Sequence, residues 1–121
     1  IIARGYVYRH CNARLFAISS DDQILGVATV RNLDEEPACY DLQQFMIDQR
    51  FQNKGYGTKA LELMIALLSK EGKYTCIEVC VNKRAYAALH FYQKSGFEDT
   101  GYTDASAPEC LNFMYYFNRQ D

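Results

Sequence analysis

An apolar, strand-like run ending at Asp48 gives way to a helical period, and the joint between them is Gln52-Asn53-Lys54-Gly55-Tyr56-Gly57. This joint constrains the chain more than any other feature. Glycine lets a backbone adopt conformations that a Cβ forbids and lets it pass close to a ligand. The first amides of the following helix have no internal partner and point outward at the positive end of its dipole. A strand, a two-glycine turn and a helix N-terminus together make an anion site, and Lys54 and Lys59 add positive charge beside it. The spacing is too short for a Walker loop and lacks its Gly-Lys-Ser/Thr ending. Two glycines, with no first strand of a βαβ pair ahead of them, do not make the dinucleotide fingerprint either. A tight strand-to-helix turn that holds no ligand is the competing reading.

The elements around the joint follow from their periods. Leu15 to Ser19 is short, apolar and closed by the turn cluster Ser20-Asp21-Asp22, and Ile24 to Arg31 is β-branched, which predicts a hairpin. Cys39 to Asp48 is a third strand with Leu42, Phe45 and Ile47 apolar; the break in alternation near Gln43-Gln44 is what a β-bulge produces. From Thr58 to Lys70 the period predicts a helix with Leu61, Met64, Leu67 and Leu68 on one face, stopped by Gly72. Tyr74 to Val81 is a buried strand. Lys83 to Ser95 is a second helix packing through Ala85, Ala88, Leu89 and Tyr92, ended by Gly96. Phe97 to Tyr102 and Leu111 to Phe117 close the sheet. The expected fold class is mixed α/β (α+β), a largely antiparallel twisted sheet with one crossover, flanked by helices. No repeat or linker divides the chain, so residues 1–121 read as one domain.

Composition excludes several partners. With a formal net charge of −2 there is no basic face of the kind that nucleic acid requires. No apolar run approaches the roughly 20 residues that span a bilayer. The five cysteines (Cys11, Cys39, Cys76, Cys80 and Cys110) have no C-x-x-C spacing and no histidines placed to complete a zinc set, so no metal site is expected. They read as buried reduced thiols, which points to the cytoplasm. The lone histidines His10 and His90 read as structural or surface residues.

Beyond the turn comes Ala88-Leu89-His90-Phe91-Tyr92-Gln93-Lys94-Ser95-Gly96-Phe97. The pair Q-x-x-G-x-G and A-L-x-x-Y-x-K-x-G-F, separated by helix, strand and helix, resembles the GNAT N-acetyltransferases over about Leu15 to Phe117. The resemblance implies acetyl-CoA as cosubstrate. It implies that Gln52, Asn53, Lys54, Gly55, Tyr56, Gly57 and Thr58 hold the coenzyme A pyrophosphate. The strand edge at Phe45, Met46 and Ile47 would pair with the pantetheine arm as an added strand. Tyr92 would return a proton to the departing thiolate. A thiolate of pKa near 8.5 takes a proton from an ordinary phenol near 10 at modest cost. The family asparagine that contacts pantetheine is replaced here by Ala85, and Asn82 is the candidate substitute. GNAT folds begin with a strand and two helices. Ile1 to His10 read as the tail of the second helix, so the domain is expected to be N-terminally incomplete.

A primary amine attacks a thioester only when neutral. With a pKa near 10.4, roughly one molecule in 2500 is neutral at pH 7, a penalty of about 4.6 kcal/mol. A carboxylate, or a water held by one, removes that proton; Asp41 on the third strand is the candidate base, with a solvated strand-end role as its alternative. The runs Phe45-Met46-Ile47-Asp48 and Leu111-Asn112-Phe113-Met114-Tyr115 resemble bacterial spermine/spermidine acetyltransferases, which commonly have an arginine where this chain has Gln44. Asp34, Glu35, Glu36, Asp104 and Glu109 fall in loops suited to a polycation. The expected acceptor is therefore a polyamine such as spermidine or spermine. Another amine (a peptide N-terminus, a lysine, an aminoglycoside) is the first alternative, and a non-catalytic acyl-CoA-binding module the second. A homodimer is compatible with all of these.

Overall fold

The computed structural model describes residues 2–8, 13–34 and 38–117, the first of these as backbone alone. Its elements run β1 (Ile2–Tyr8), β2 (Ala13–Ser20), β3 (Gln23–Leu33), β4 (Cys39–Ile47), a 3-10 turn (Gln49–Phe51), α1 (Tyr56–Glu71), β5 (Cys76–Asn82), α2 (Tyr86–Lys94), β6 (Glu98–Asp99) and β7 (Cys110–Tyr116). They form a seven-stranded sheet in the order β1-β2-β3-β4-β5-β7-β6. All neighbours pair antiparallel except β4 and β5, which are parallel and joined by the crossover through α1. The mixed, mostly antiparallel sheet with helices is the expected one.

The helix tail expected over Ile1 to His10 is overturned for Ile2–Tyr8, which pair with β2 as a strand. That segment alternates no better as a strand than as a helix; the neighbouring β2 edge decides it. Phe97 to Tyr102 shortens to the two residues of β6. On α1 the buried face is Ala60, Leu61, Met64 and Leu68, whereas Leu67 is an exposed apolar residue. Ala60, which the expected face did not include, is fully buried.

Both helices cover one face of the sheet. Their core residues pack with Phe16, Ile18, Ala28, Val30, Tyr40, Leu42, Ile77, Val79, Val81 and Phe113. The opposite face carries a smaller cluster of Cys39, Cys76 and Met114 with Leu33 against it. Gln43 is the bulge residue: Val30 pairs with Leu42 and Thr29 with Gln44. This extra residue switches the phase of β4. Asp41 faces away from the helices, and both Leu42 and Phe45 face towards them.

The parallel β4–β5 ladder has only two rungs, Tyr40 with Ile77 and Asp41 with Glu78. Past them β4 pairs with β3 alone and β5 with β7 alone. A wedge therefore opens in the middle of the sheet at the carboxyl ends of β4 and β5.

Candidate functional site

The two-glycine turn lies at the mouth of the wedge. Gln52 Nε2 donates to the Ile47 carbonyl at 2.8 Å and ties the turn to the end of β4. Asn53 and Gly55 have φ of 63° and 84°, in the left-handed region that favours glycine. Gly55 is the N-cap of α1 and no side chain caps the helix. The first helical bond runs from the Lys59 amide to the Gly55 carbonyl, so the amides of Tyr56, Gly57 and Thr58 lie ahead of the ladder. Lys54 and Lys59 are exposed beside them. Gly57 has ordinary helical geometry, and a Cβ there would meet Ile47 Cγ1 and Phe91 Cε1 at 3.7 Å, an ordinary contact. Its small size, rather than its backbone freedom, keeps the space above it clear.

That space is a cavity of about 310 Å³ lined by Phe45, Ile47, Gln52, Asn53, Gly57, Ala87, Ala88, Phe91 and Tyr92. It joins the turn to the wedge. Met46, the third residue expected on the strand edge, has its side chain in solvent on the opposite face, 60% exposed. Asn82 lies elsewhere: its Oδ1 accepts the Arg84 amide at 2.8 Å, and its carbonyl accepts the Ala85 amide. It shapes the turn into α2 and does not line the cavity. A larger cavity of about 430 Å³ is bordered by Thr75, Glu98, Asp99, Thr100, Tyr116 and Phe117. Its two carboxylates make it unsuited to a polyphosphate.

Tyr92 is 7% exposed, packed edge-on against Phe91 and Phe97 with centroids 5.2 and 5.3 Å away. Burial pushes its phenol up to about 12. A proton transfer to a water-like thiolate would then be uphill by about 3.5 units, or about 5 kcal/mol. This corrects the modest cost expected from an ordinary phenol. A thiolate formed in the same dry cavity is desolvated as well, which raises its own pKa and narrows the gap.

On the other face Arg31 Nη2 donates to Asp41 Oδ2 at 3.0 Å. Asp41 is 9% exposed, and burial raises its carboxyl above the ordinary range although Arg31 opposes the shift. Glu78, level with Asp41 on β5, is half-buried and raised by burial first and then by Asp41. Sequence reasoning passed over Glu78, and its signal was a lone carboxylate inside the apolar run Tyr74–Val81. Arg31 and Phe91 were missed too; their roles depend on register and helix packing, which no local pattern displays. Asp104 acts electrostatically on Glu78. Asp34 instead accepts from the Tyr74 hydroxyl at the closed end of the β4–β5 pair. Glu35, Glu36, His10 and Cys11 lie outside the described residues. Of the other cysteines Cys39 and Cys76 are buried as expected, but Cys80 is exposed and Cys110 half-buried. No group of metal-ligating side chains occurs among the described residues, and no described helix is long and apolar enough to cross a membrane.

A sheet split at one parallel pair, with a helix N-terminus at the mouth of the split, defines a class of cleft suited to an extended, phosphate-bearing ligand. The model of the acetyltransferase (GNAT) family matches residues 3–97, and the chain belongs to that family. It is 26% identical over 119 residues to N-acetyltransferase family 8 member 2 of Rattus norvegicus, covering 97% of this chain and 52% of the relative. It is 35% identical over 70 residues to the spermine/spermidine N(1)-acetyltransferase of Bacillus subtilis, covering 58% of this chain and 46% of the relative. The chain thus spans about half the length of the curated relatives it matches. A GNAT family acetyltransferase from Elizabethkingia anophelis, solved with acetyl-CoA bound, has the same fold with a TM-score of 0.74 at 18% identity, over 88% of this chain and 77% of that one.

Proposed function

We infer that the chain binds acetyl-CoA and transfers its acetyl group to a primary amine. The observation that carries this reading is the continuity of the phosphate turn, the cavity at Phe45 and Ile47, and the wedge between β4 and β5. A pyrophosphate fits the free amides of Tyr56, Gly57 and Thr58, with Gln52, Asn53, Lys54 and Gly55 shaping the turn. The pantetheine arm then runs as an added strand along the open edge of β4, bringing the thioester to the head of the wedge. Tyr92 meets the sulfur from the helix side, and the amine enters from the face that carries Asp41. The relative solved with acetyl-CoA supports the ligand.

For the acceptor we favour a polyamine. The Bacillus subtilis relative is named for spermine and spermidine, and Asp41, Glu78 and Asp104 lend negative potential to the acceptor face. The burial of Tyr92 is the one observation that favours a binding module without turnover. Calorimetry with acetyl-CoA, followed by thiol release with spermidine, an N-terminally free peptide and kanamycin, tests both levels. Micromolar coenzyme binding with spermidine fastest, and slowed by salt, is expected. Brisk transfer to the peptide alone would remove the polyamine reading, and no coenzyme binding would remove the whole.

A further inference from the structure

Asp41 and Glu78 form the last rung before β4 and β5 part, on the face opposite the helices. They are not equivalent. The Asp41 carboxylate is held by Arg31 at 3.0 Å. The Glu78 side chain, by contrast, makes no hydrogen bond or ion pair with any described residue, its backbone alone being tied into the ladders with β4 and β7. Building on the acetyltransferase reading, we propose that Glu78, on β5, takes the proton from the acceptor amine, while Asp41 and Arg31 position it.

The charge pattern supports this division of labour. Glu78 faces Arg31 on β3, Asp41 on β4, the thiols of Cys39, Cys76 and Cys80, and Asp104 from the loop before β7. Burial and the Asp41 charge push its carboxyl up, Arg31 opposes them and Asp104 adds to them. A base raised towards neutrality accepts an ammonium proton more readily than an ordinary carboxylate does. The protons balance as follows. The ammonium gives one proton to Glu78, which passes it to water. The neutral nitrogen attacks the thioester carbon, the C–N bond forms, and the C–S bond breaks with its electron pair leaving on sulfur. Tyr92 protonates that sulfur and is itself reprotonated from the second proton carried by the new amide nitrogen.

The test is a pH profile of kcat/KM for the full-length chain with the best of spermidine, the peptide and kanamycin. The parent should rise to a plateau as Glu78 ionises. Glu78→Gln should lose about 10²–10⁴-fold near pH 7 and climb with pH without levelling, because only hydroxide is left to take the proton. Its acetyl-CoA affinity should be unchanged. Glu78→Asp should restore the plateau at a reduced rate, and it keeps the test decisive if the glutamine variant does not fold. Asp41→Asn should keep the plateau but shift its onset to lower pH, since a repelling charge is gone and Arg31 is freed towards Glu78. A Glu78→Gln protein with the parent's rate and profile overturns the assignment alone, as does an Asp41→Asn protein that loses the plateau. A parent that binds acetyl-CoA yet acetylates none of the three overturns the transferase reading and the assignment with it.

Discussion

Phe45 on β4 and Phe91 on α2 stack across the cavity, their ring centroids 6.1 Å apart and their planes 23° from parallel. Phe91 also walls a second cavity of about 330 Å³ between α1 and α2, bordered by Thr58, Leu61, Ile65, Lys94 and other residues. One ring thus separates the proposed coenzyme path from the helix interface. Phe91→Ala should merge the two spaces. Because the ring is half-buried, the expected loss of stability is about 1–3 kcal/mol, below the full cost of a buried aromatic. Acetyl-CoA affinity should weaken about tenfold, or about 1.4 kcal/mol, by calorimetry.

Gly57 distinguishes space from backbone strain. Gly57→Ala meets only ordinary contacts inside the protein and should fold as the parent does. Gly57→Val projects a branched side chain into the cavity and should abolish coenzyme binding. The cost should be several kcal/mol, because charge-assisted hydrogen bonds of about 1.5–3 kcal/mol each are lost. Unchanged calorimetry for a folded Gly57→Val protein would move the phosphate site elsewhere.

Tyr92→Phe keeps the ring and its packing on Phe91 and Phe97. Coenzyme affinity should hold while kcat falls by about 10²–10⁴-fold, the mark of an interaction made only as sulfur departs. An acid held at about 12 stays protonated throughout the working range. No basic limb from this residue should therefore appear below about pH 10. A leaving thiol of lower pKa should partly rescue the variant. Parental turnover in a chemistry-limited assay would make Tyr92 a core aromatic only.

Alkali should unfold the protein through its buried acids. Burial, with the carboxylates and thiol around it, raises the Cys39 thiol from 9.0 to about 12, and burial raises Tyr92 from 10.0 to about 12. Both groups are neutral in the folded chain where the unfolded chain would already ionise. Their contribution is complete below pH 9, erodes above the unfolded values, and is lost as pH passes the folded ones. The melting temperature should fall steadily between pH 9 and 12. Cys39→Ala should start lower, for want of a packed side chain, and fall less steeply. Parallel curves for the two proteins would show that Cys39 titrates at its ordinary value.

The legible parts of this molecule were local. The broken alternation at Gln43-Gln44 announced the bulge that sends Phe45 to the helix face, and the left-handed Gly55 was visible as a turn signal. Arg31 and Asp41 are ten residues apart on neighbouring strands and meet because the β3–β4 hairpin pairs them in the register that starts at Leu33 and Cys39. Nothing in either segment announces the pair, so Asp41 looked like a free base. Tyr92 was found by its motif, but its burial depends on Phe97 and on the sheet beneath it. Ile2–Tyr8 failed for the same reason: a segment with no decisive period takes the structure its neighbour offers.

The split between β4 and β5 also bears on solubility. An unpaired main-chain margin is the adhesive part of any sheet, and proteins commonly hide it at the rim under charge or proline. Here the margin lies in the middle of the sheet, with α2 and the turn at Gln52 standing over it. A whole polypeptide strand with side chains on both faces would collide with Phe91 and Tyr92. A slender chain that carries amide groups and no side chains would not. The same opening that invites a thread-like guest turns away other copies of the protein.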